Sequence, residues 1–277
     1  MTIAETLRDA ASALARTSDT ARLDAELLMA HALGVTRSEL ILRHMAAPAP
    51  AQFAALLARR LTHEPVAYIL GSQPFFGLDL LVTPDVLIPR GDSEVLVEAA
   101  LKARPDAANV LDCGTGSGAL LLAVLSQLPE ARGVGVDRSL AALEVAAANA
   151  ARLGLSTRAH MLRADWDEAG WSRDLGGPFD LILANPPYVE DCADVEASVR
   201  RHEPAGALFA GPDGLNAYRV LIPQIPALLA PAGVALVEIG VALAAPVSVI
   251  ARDAGLTPRL HRDMAQRPRV LELVHRA

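Results

Sequence analysis

The fold class this sequence predicts is α/β: a doubly wound, mostly parallel seven-stranded sheet with an antiparallel terminal strand, behind a small N-terminal helical domain. Three observations predict it. From residue 93 onward, apolar strand patterns alternate with helical patterns, as in a parallel sheet covered on both faces. A glycine-rich turn at 112–118 sits where the first of those strands meets a helix. Residues 2–63 show helical spacing without any strand pattern, which sets them apart from the sheet-forming remainder of the chain. A chain of 277 residues is the right length for two such domains.

Taken in order, Leu23, Leu27, Leu28 and Leu33 recur at helical spacing behind a cap at Asp19 or Thr20, and Gly34 stops the helix. Further short helices are expected over 38–44 and 52–62, separated by Pro48 and Pro50. Residues 66–87 alternate and carry turn residues, as a connecting hairpin should. The expected division is a helical domain at 1–75, a hairpin linker at 76–92 and the sheet domain at 93–277. Strands are expected at 109–113, 133–137, 158–163, 179–184, 234–239, 257–262 and 269–274. Helices are expected at 93–103, 117–128, 140–153, 214–229 and 242–254. Only residues 263–268 join the last two strands, too few for a crossover helix, so those two should pair antiparallel.

Composition narrows the function. The formal charge of −7 lies wholly beyond residue 75, because residues 1–75 hold seven arginines and seven carboxylates. A protein gripping a nucleic-acid backbone presents a basic face, and Arg200, Arg201 and His202 read instead as a solvated helix end. No direct nucleic-acid binding is expected. Two cysteines, Cys113 and Cys192, form no CxxC, so neither a disulfide framework nor a metal site is expected, and a reducing cytoplasm suits them. Glu5 and Asp9 fall where a secretory signal would be basic and then apolar. Residues 221–250 carry one charge, Glu238, but prolines and glycines cut the stretch into pieces too short to span a bilayer. A soluble monomer is expected.

The turn Asp112-Cys113-Gly114-Thr115-Gly116-Ser117-Gly118 leads a strand into a helix. Glycine permits positive φ and close backbone approach, and a helix N-terminus offers free N–H groups. Asp137 ends the next strand, where a carboxylate can accept ribose hydroxyls. Gly114, Gly116 and Ala119 also satisfy the nicotinamide fingerprint GxGxxA. Asp112 tilts the reading away from it, because an anion there repels a pyrophosphate but suits the ammonium of a methionine moiety. Asp165 and Trp166 end the third strand, where a carboxylate can take an adenine amino group and an indole can cover the ring.

The strand at 179–184 runs into Asn185-Pro186-Pro187-Tyr188. The prolines lack N–H donors and fix φ, so their carbonyls are presented on a stiff backbone. Asn185 adds a side-chain carbonyl. Two carbonyl acceptors suit a planar NH2 group, and Tyr188 offers a stacking face. The reaction such a site suits is displacement at the methyl group of S-adenosyl-L-methionine, leaving S-adenosyl-L-homocysteine. Bonds from both N–H atoms to Asn185 and Pro186 would favour a pyramidal nitrogen and its developing charge.

These residues together resemble a class I S-adenosylmethionine-dependent methyltransferase acting on planar nitrogen. Further segments narrow the likeness: 64–71 (EPVAYILG), 75–77 (FFG), 87–90 (LIPR) with Asp92-Ser93-Glu94, 208–215 (LFAGPDGL) and Arg269-Val270. They are similar to the peptide chain release factor glutamine methyltransferases, the HemK/PrmC family, over nearly the whole chain. Gly91 and Ser93 stand where that family has Pro and Thr. The resemblance implies that Gly114 to Gly118 hold the methionine part of the cofactor, Asp137 the ribose and Trp166 the adenine. It implies that Asn185 to Tyr188 hold the substrate glutamine, in the Gly-Gly-Gln loop of class 1 release factors, with the helical domain docking that partner. The alternatives in the same chemistry are a ribosomal-protein glutamine and an exocyclic amino group of a nucleic-acid base. A nicotinamide oxidoreductase and a non-catalytic cofactor-binding module are the rivals of other classes.

Overall fold

The computed structural model describes residues 1–276. The chain forms two compact units: residues 1–72 together with 195–203, and the remainder from residue 73. Nothing in the linear order of the chain assigns 195–203 to the helical unit.

In the first unit, helix Ile3–Leu14 starts from a capping box in which the Thr2 hydroxyl accepts from the Glu5 N–H and the Glu5 carboxylate accepts from the Thr2 N–H. Helix Ala21–Leu33 ends at Gly34 with φ 68°, as the sequence predicts. Its buried face differs from expectation. Leu28 is buried with Ala25, Met29 and Ala32, while Leu23 is 41% exposed. Asp24 and Glu26 go inside because arginines neutralise them: Arg60 lies 2.7 Å from Asp24, and Arg22 and Arg37 flank Glu26 at 2.5 and 2.7 Å. Helical spacing of leucines alone does not anticipate that pairing. Over 38–44 the chain forms a short turn of helix, Arg37–Glu39, followed by a π-helical turn, Leu40–His44. Helix Phe53–Leu61 follows as expected, and Val66–Leu70 is a helix rather than part of a hairpin. Helix Ala197–His202 belongs to this unit, with His202 Nε2 3.3 Å from the Thr62 carbonyl.

The hairpin itself is β1 (Ser72–Phe75) and β2 (Leu78–Leu81). Beyond it the main sheet contains β3 (Asn109–Cys113), β4 (Arg132–Asp137), β5 (Ala159–Arg163), β6 (Phe179–Ala184), β7 (Leu229–Glu238), β8 (Leu256–Arg262) and β9 (Pro268–His275). Their order is β5-β4-β3-β6-β7-β9-β8. β3 to β7 are mutually parallel, and β9 runs antiparallel to both neighbours. The reversed strand therefore lies between β7 and β8. Side chains alternate between two cores: Val110, Leu181, Leu183, Val234 and Leu236 enter one, and Leu111, Ile182, Ala184, Ala235 and Val237 the other. Burial on both faces is why these strands read as continuous apolar runs.

Two boundaries depart from the sequence reading. The helix expected over 214–229 is three pieces, Asn216–Leu221, a 3-10 turn Ile222–Gln224 and Ile225–Leu228. Pro223 and Pro226 remove the N–H groups that a continuous helix needs. β7 begins at Leu229 rather than 234 and pairs there with Phe179 across a register shift. Among the described residues no helix is long and apolar enough to cross a membrane.

Candidate functional site

β3 and β6 are neighbours, and their register pairs Cys113 with Ala184. That register brings Gly114 and Asn185 to adjacent positions at the carboxyl edge of the sheet. A cavity of about 710 Å³ opens there, where ligands of open parallel sheets lie.

The glycine turn is held by its own backbone. The N–H groups of Gly114 and Thr115 both donate to the Val136 carbonyl at 2.9 Å. Gly116 has φ 54°, and a Cβ built on it meets no protein atom within 4 Å; it faces open space. Asp137 accepts from the Gly116 N–H at 3.0 Å and from the Ser139 N–H at 2.9 Å. Its carboxylate thus fixes the turn and the start of helix Leu140–Arg152 while still lining the cavity. Asn149, fully buried in that helix, donates to the Ser117 and Leu81 carbonyls and accepts from the Leu81 N–H. It staples β2 to the turn.

Gly114, Thr115, Gly116, Ser117, Asp137, Asp165, Trp166, Asn185 and Pro187 all line this one cavity. The Trp166 ring packs against the turn, 3.0 Å from where a Gly114 Cβ would stand, and its carbonyl accepts from Gln224 Nε2 at 3.0 Å. Asp165 accepts from the Asp167 N–H. Gly118 starts helix Ala119–Gln127 at φ 82° and does not line the cavity. Asp112 is fully buried behind the turn, with one oxygen accepting from the Thr115 hydroxyl at 2.7 Å and Oδ1 without any hydrogen-bond partner. Burial pushes its pKa up to about 7, against the pull of the Thr115 hydroxyl.

That displacement has a testable sign. A carboxyl whose pKa is raised by folding stabilises the fold below about pH 4, and that stability drains away as pH rises to about 7. Chemical denaturation without ligand is expected to show Asp112→Asn gaining on the native protein by about 2 kcal/mol between pH 5 and pH 8. An offset that stays constant with pH contradicts the buried, uncompensated carboxyl.

The turn after β6 is anchored at both ends. Asn185 Nδ2 donates to the Ser93 hydroxyl at 3.4 Å, which leaves Asn185 Oδ1 as an acceptor. Ser93 is buried and holds Asn185 rather than capping the helix Glu94–Ala103. At the other end, the Val189 N–H donates to the Leu208 carbonyl at 2.9 Å and the Val189 carbonyl accepts from the Ala210 N–H at 2.8 Å. A Cβ on Gly214 would stand 2.5 Å from the Tyr188 carbonyl oxygen, so only glycine lets the 208–215 loop close on the turn. Pro186 is buried and, like Tyr188, does not line the cavity. The Tyr188 hydroxyl instead donates to Glu238 Oε1 at 3.2 Å, and Glu238 is 3% exposed. The sequence predicts an aromatic face open to the cavity at Tyr188; the structure turns its polar tip to Glu238. Arg269 closes the cluster, pairing with Asp92 at 2.6 Å and Asp263 at 3.0 Å. Gly91 lies in a short 3-10 turn at negative φ where a Cβ meets nothing, so this position has room for a side chain, and Arg90 beside it lines the cavity.

Comparison with known proteins agrees with these features. Residues 5–71 match the PrmC N-terminal domain and residues 105–245 a methyltransferase domain. A release factor glutamine methyltransferase of Caulobacter vibrioides is 43% identical over 91% of this chain and 89% of its own. The protein of that name from Geobacter sulfurreducens is 45% identical, over 83% of this chain and 80% of its own. The catalytic domain of hMettl16, solved with an MAT2A 3'UTR hairpin, shares the fold at a TM-score of 0.56 and 14% identity, over 73% of this chain and 77% of that one.

Proposed function

The chain belongs to the release factor glutamine methyltransferases, and on that premise we propose that it methylates the side-chain amide nitrogen of the Gly-Gly-Gln glutamine in class 1 release factors, using S-adenosyl-L-methionine. The carrying observation is the placement of Asn185. It lines the same cavity as the glycine turn one strand away, with its amide nitrogen engaged by Ser93 and its oxygen left to accept.

The residues suit the cofactor. Gly116 faces open space, so a ligand can approach its backbone closely. Asp112 is fully buried behind the turn and does not line the cavity, so it does not meet the ammonium group that its place in the sequence suggests; its carboxyl holds the turn through the Thr115 hydroxyl. Trp166 supplies an apolar face and Asp165 an acceptor at one end of the cavity, in keeping with an adenine there. Asp137 has lone pairs beyond its two backbone bonds for ribose hydroxyls. When bound, S-adenosylmethionine supplies a methyl group already activated by its sulfonium.

The protein's share of the reaction is positioning. A carboxamide nitrogen is a poor nucleophile because its lone pair is delocalised. Asn185 Oδ1, on the cavity wall, takes an N–H bond and holds the nitrogen toward the methyl donor, while Pro186, buried off the cavity, stiffens the turn behind it. That acceptor favours the charge that grows on nitrogen during transfer, and loss of one N–H proton to solvent then leaves the neutral N-methyl amide beside S-adenosylhomocysteine. The stiffness of Pro186-Pro187 keeps Asn185 in place without a further ordering cost. We assign the helical unit, residues 1–72 with 195–203, to docking of the protein substrate and the sheet unit to transfer, the hairpin falling at 72–81 rather than at the 76–92 expected from the sequence. The match of residues 5–71 to the PrmC N-terminal domain supports that assignment. The net charge of −7 supports a protein substrate over a nucleic acid, and we take the site of action to be the cytoplasm.

The test mixes purified protein, methyl-labelled S-adenosylmethionine and a recombinant release factor, with a release factor carrying alanine in place of the motif glutamine as control. Label is expected in the native release factor alone. Equal label in both refutes the glutamine assignment. S-adenosylhomocysteine is also expected to raise the melting temperature where NADH leaves it unchanged.

A further inference from the structure

We propose that Glu238 is a positioning residue for methyl transfer, one that holds the Asn185–Tyr188 turn in its reactive geometry through the Tyr188 hydroxyl. The inference rests on the glutamine reading above and names a residue that reading does not need.

Glu238 ends β7, beside the end of β6, with Val237 paired to Ala184. It is 3% exposed in a strand that is otherwise apolar from Val234 onward. A buried carboxyl is costly unless it is used, and leucine or isoleucine would complete this strand at no such cost. Its polar surroundings all belong to the turn or to its supports. Oε1 accepts from the Tyr188 hydroxyl at 3.2 Å. The Ser93 hydroxyl, which receives Asn185 Nδ2, lies near enough to draw the Glu238 pKa down. The backbone carbonyl of Glu238 accepts from the Tyr218 hydroxyl at 2.9 Å, so the strand end is itself fixed. Oε2 makes no hydrogen bond.

One side chain therefore touches Tyr188 at the end of the turn and neighbours the hydroxyl that orients Asn185 at its start. Glu238 does not line the cavity, so it acts through Tyr188 and Ser93 rather than on substrate. Burial raises the pKa of both Glu238 and Tyr188, as expected of a dry contact. In such surroundings a hydrogen bond is stronger and its loss is felt more. The Tyr188 ring also packs, partly buried, against the apolar core on that face of the sheet, so the hydroxyl contact adds to packing that already holds the ring.

The experiment measures methyl transfer to the release factor for the native protein, Tyr188→Phe, Glu238→Met and the double variant, together with the dissociation constant for S-adenosylhomocysteine. Each single variant is expected to lower kcat by about tenfold, with cofactor affinity within about threefold of native. The double variant should be no worse than about twofold below either single, because both remove one contact. Glu238→Gln, which keeps an acceptor oxygen, should recover most of the kcat lost in Glu238→Met. Losses that multiply in the double variant overturn the proposal, as does a Tyr188→Phe protein with native kcat. If Glu238→Met fails to bind cofactor or to fold, Tyr188→Phe and Glu238→Gln decide the matter by the same criteria. A native protein that leaves the release factor unlabelled overturns the glutamine reading and this inference with it. Native activity with independent variants overturns the inference alone.

Discussion

Asn185→Ala is expected to lower kcat for release factor methylation at least about 100-fold while S-adenosylhomocysteine affinity stays within about threefold. The magnitude follows from removing one preorganised acceptor for charge that develops only during transfer, an effect worth about 3 kcal/mol. The variant also frees the Ser93 hydroxyl, which is buried and otherwise receives Asn185 Nδ2. That loss costs about 1 kcal/mol of stability and leaves the fold intact. Cofactor affinity is the discriminating readout, because the cavity walls at Gly116, Asp137 and Trp166 do not involve the Asn185 side chain. A variant with near-native kcat removes Asn185 from the chemistry. A variant that loses cofactor affinity and kcat together makes Asn185 a wall of the cofactor pocket instead.

Gly116→Val is expected to weaken S-adenosylhomocysteine binding at least about 100-fold while the protein still folds. At φ 54° a β-branched residue is strained by about 1–2 kcal/mol, a fall of several degrees in melting temperature for a domain of this size. The space around Gly116 contains no protein atom within 4 Å of the new Cβ beyond the residue's own chain neighbours, so the side chain starts out into open volume in the unliganded protein. It projects instead into the volume where the methionine part of the cofactor is proposed to lie, and ligand affinity falls far more than stability. Calorimetric titration and thermal melting on the same samples separate the two. Native affinity in this variant moves the cofactor away from the turn.

The two substitutions probe features that differ in how readable they are. The glycine turn and the Asn-Pro-Pro-Tyr turn announce themselves because their chemistry is local: positive φ demands glycine, and a fixed φ without a donor demands proline. Apolar runs at Val110-Leu111, Leu181–Ala184 and Val234–Val237 carry the parallel sheet for a similar reason, since burial on both faces leaves few polar positions to interrupt them. Features that depend on partners distant in sequence are not readable in this way. Leu23 has the spacing of a core residue yet is exposed, because Arg60, Arg22 and Arg37 allow Asp24 and Glu26 to be buried beside it. A continuous helix over 214–229 neglects what Pro223 and Pro226 do to a hydrogen-bond ladder. Asn149 looks like one polar residue in an alanine-rich helix, although burial of an amide always requires partners, and it has three.

Glu238 is the sharpest case. It is the one charge in residues 221–250, and as a sequence feature it bears on whether that stretch crosses a membrane. A lone carboxylate closing an apolar strand is equally a sign of a polar task at the sheet edge, and only the fold reveals Tyr188 as its partner. Tyr188 shows the complement: its ring suggests stacking, but its hydroxyl is occupied inside the protein. Segments 92–94, 208–215 and 269–270 each look like unrelated fragments in the chain. In three dimensions they all bear on one turn, through Ser93, the Val189 backbone pairing, and the Arg269–Asp92 ion pair.

A crystal structure of the protein with S-adenosylhomocysteine and a glutamine-bearing release factor peptide examines that arrangement in one step. The carboxamide nitrogen is expected within about 3 Å of Asn185 Oδ1, with the sulfur of the spent cofactor facing it across the cavity. A carboxamide bound elsewhere, or a cofactor that leaves the Gly114–Ser117 turn untouched, contradicts the account.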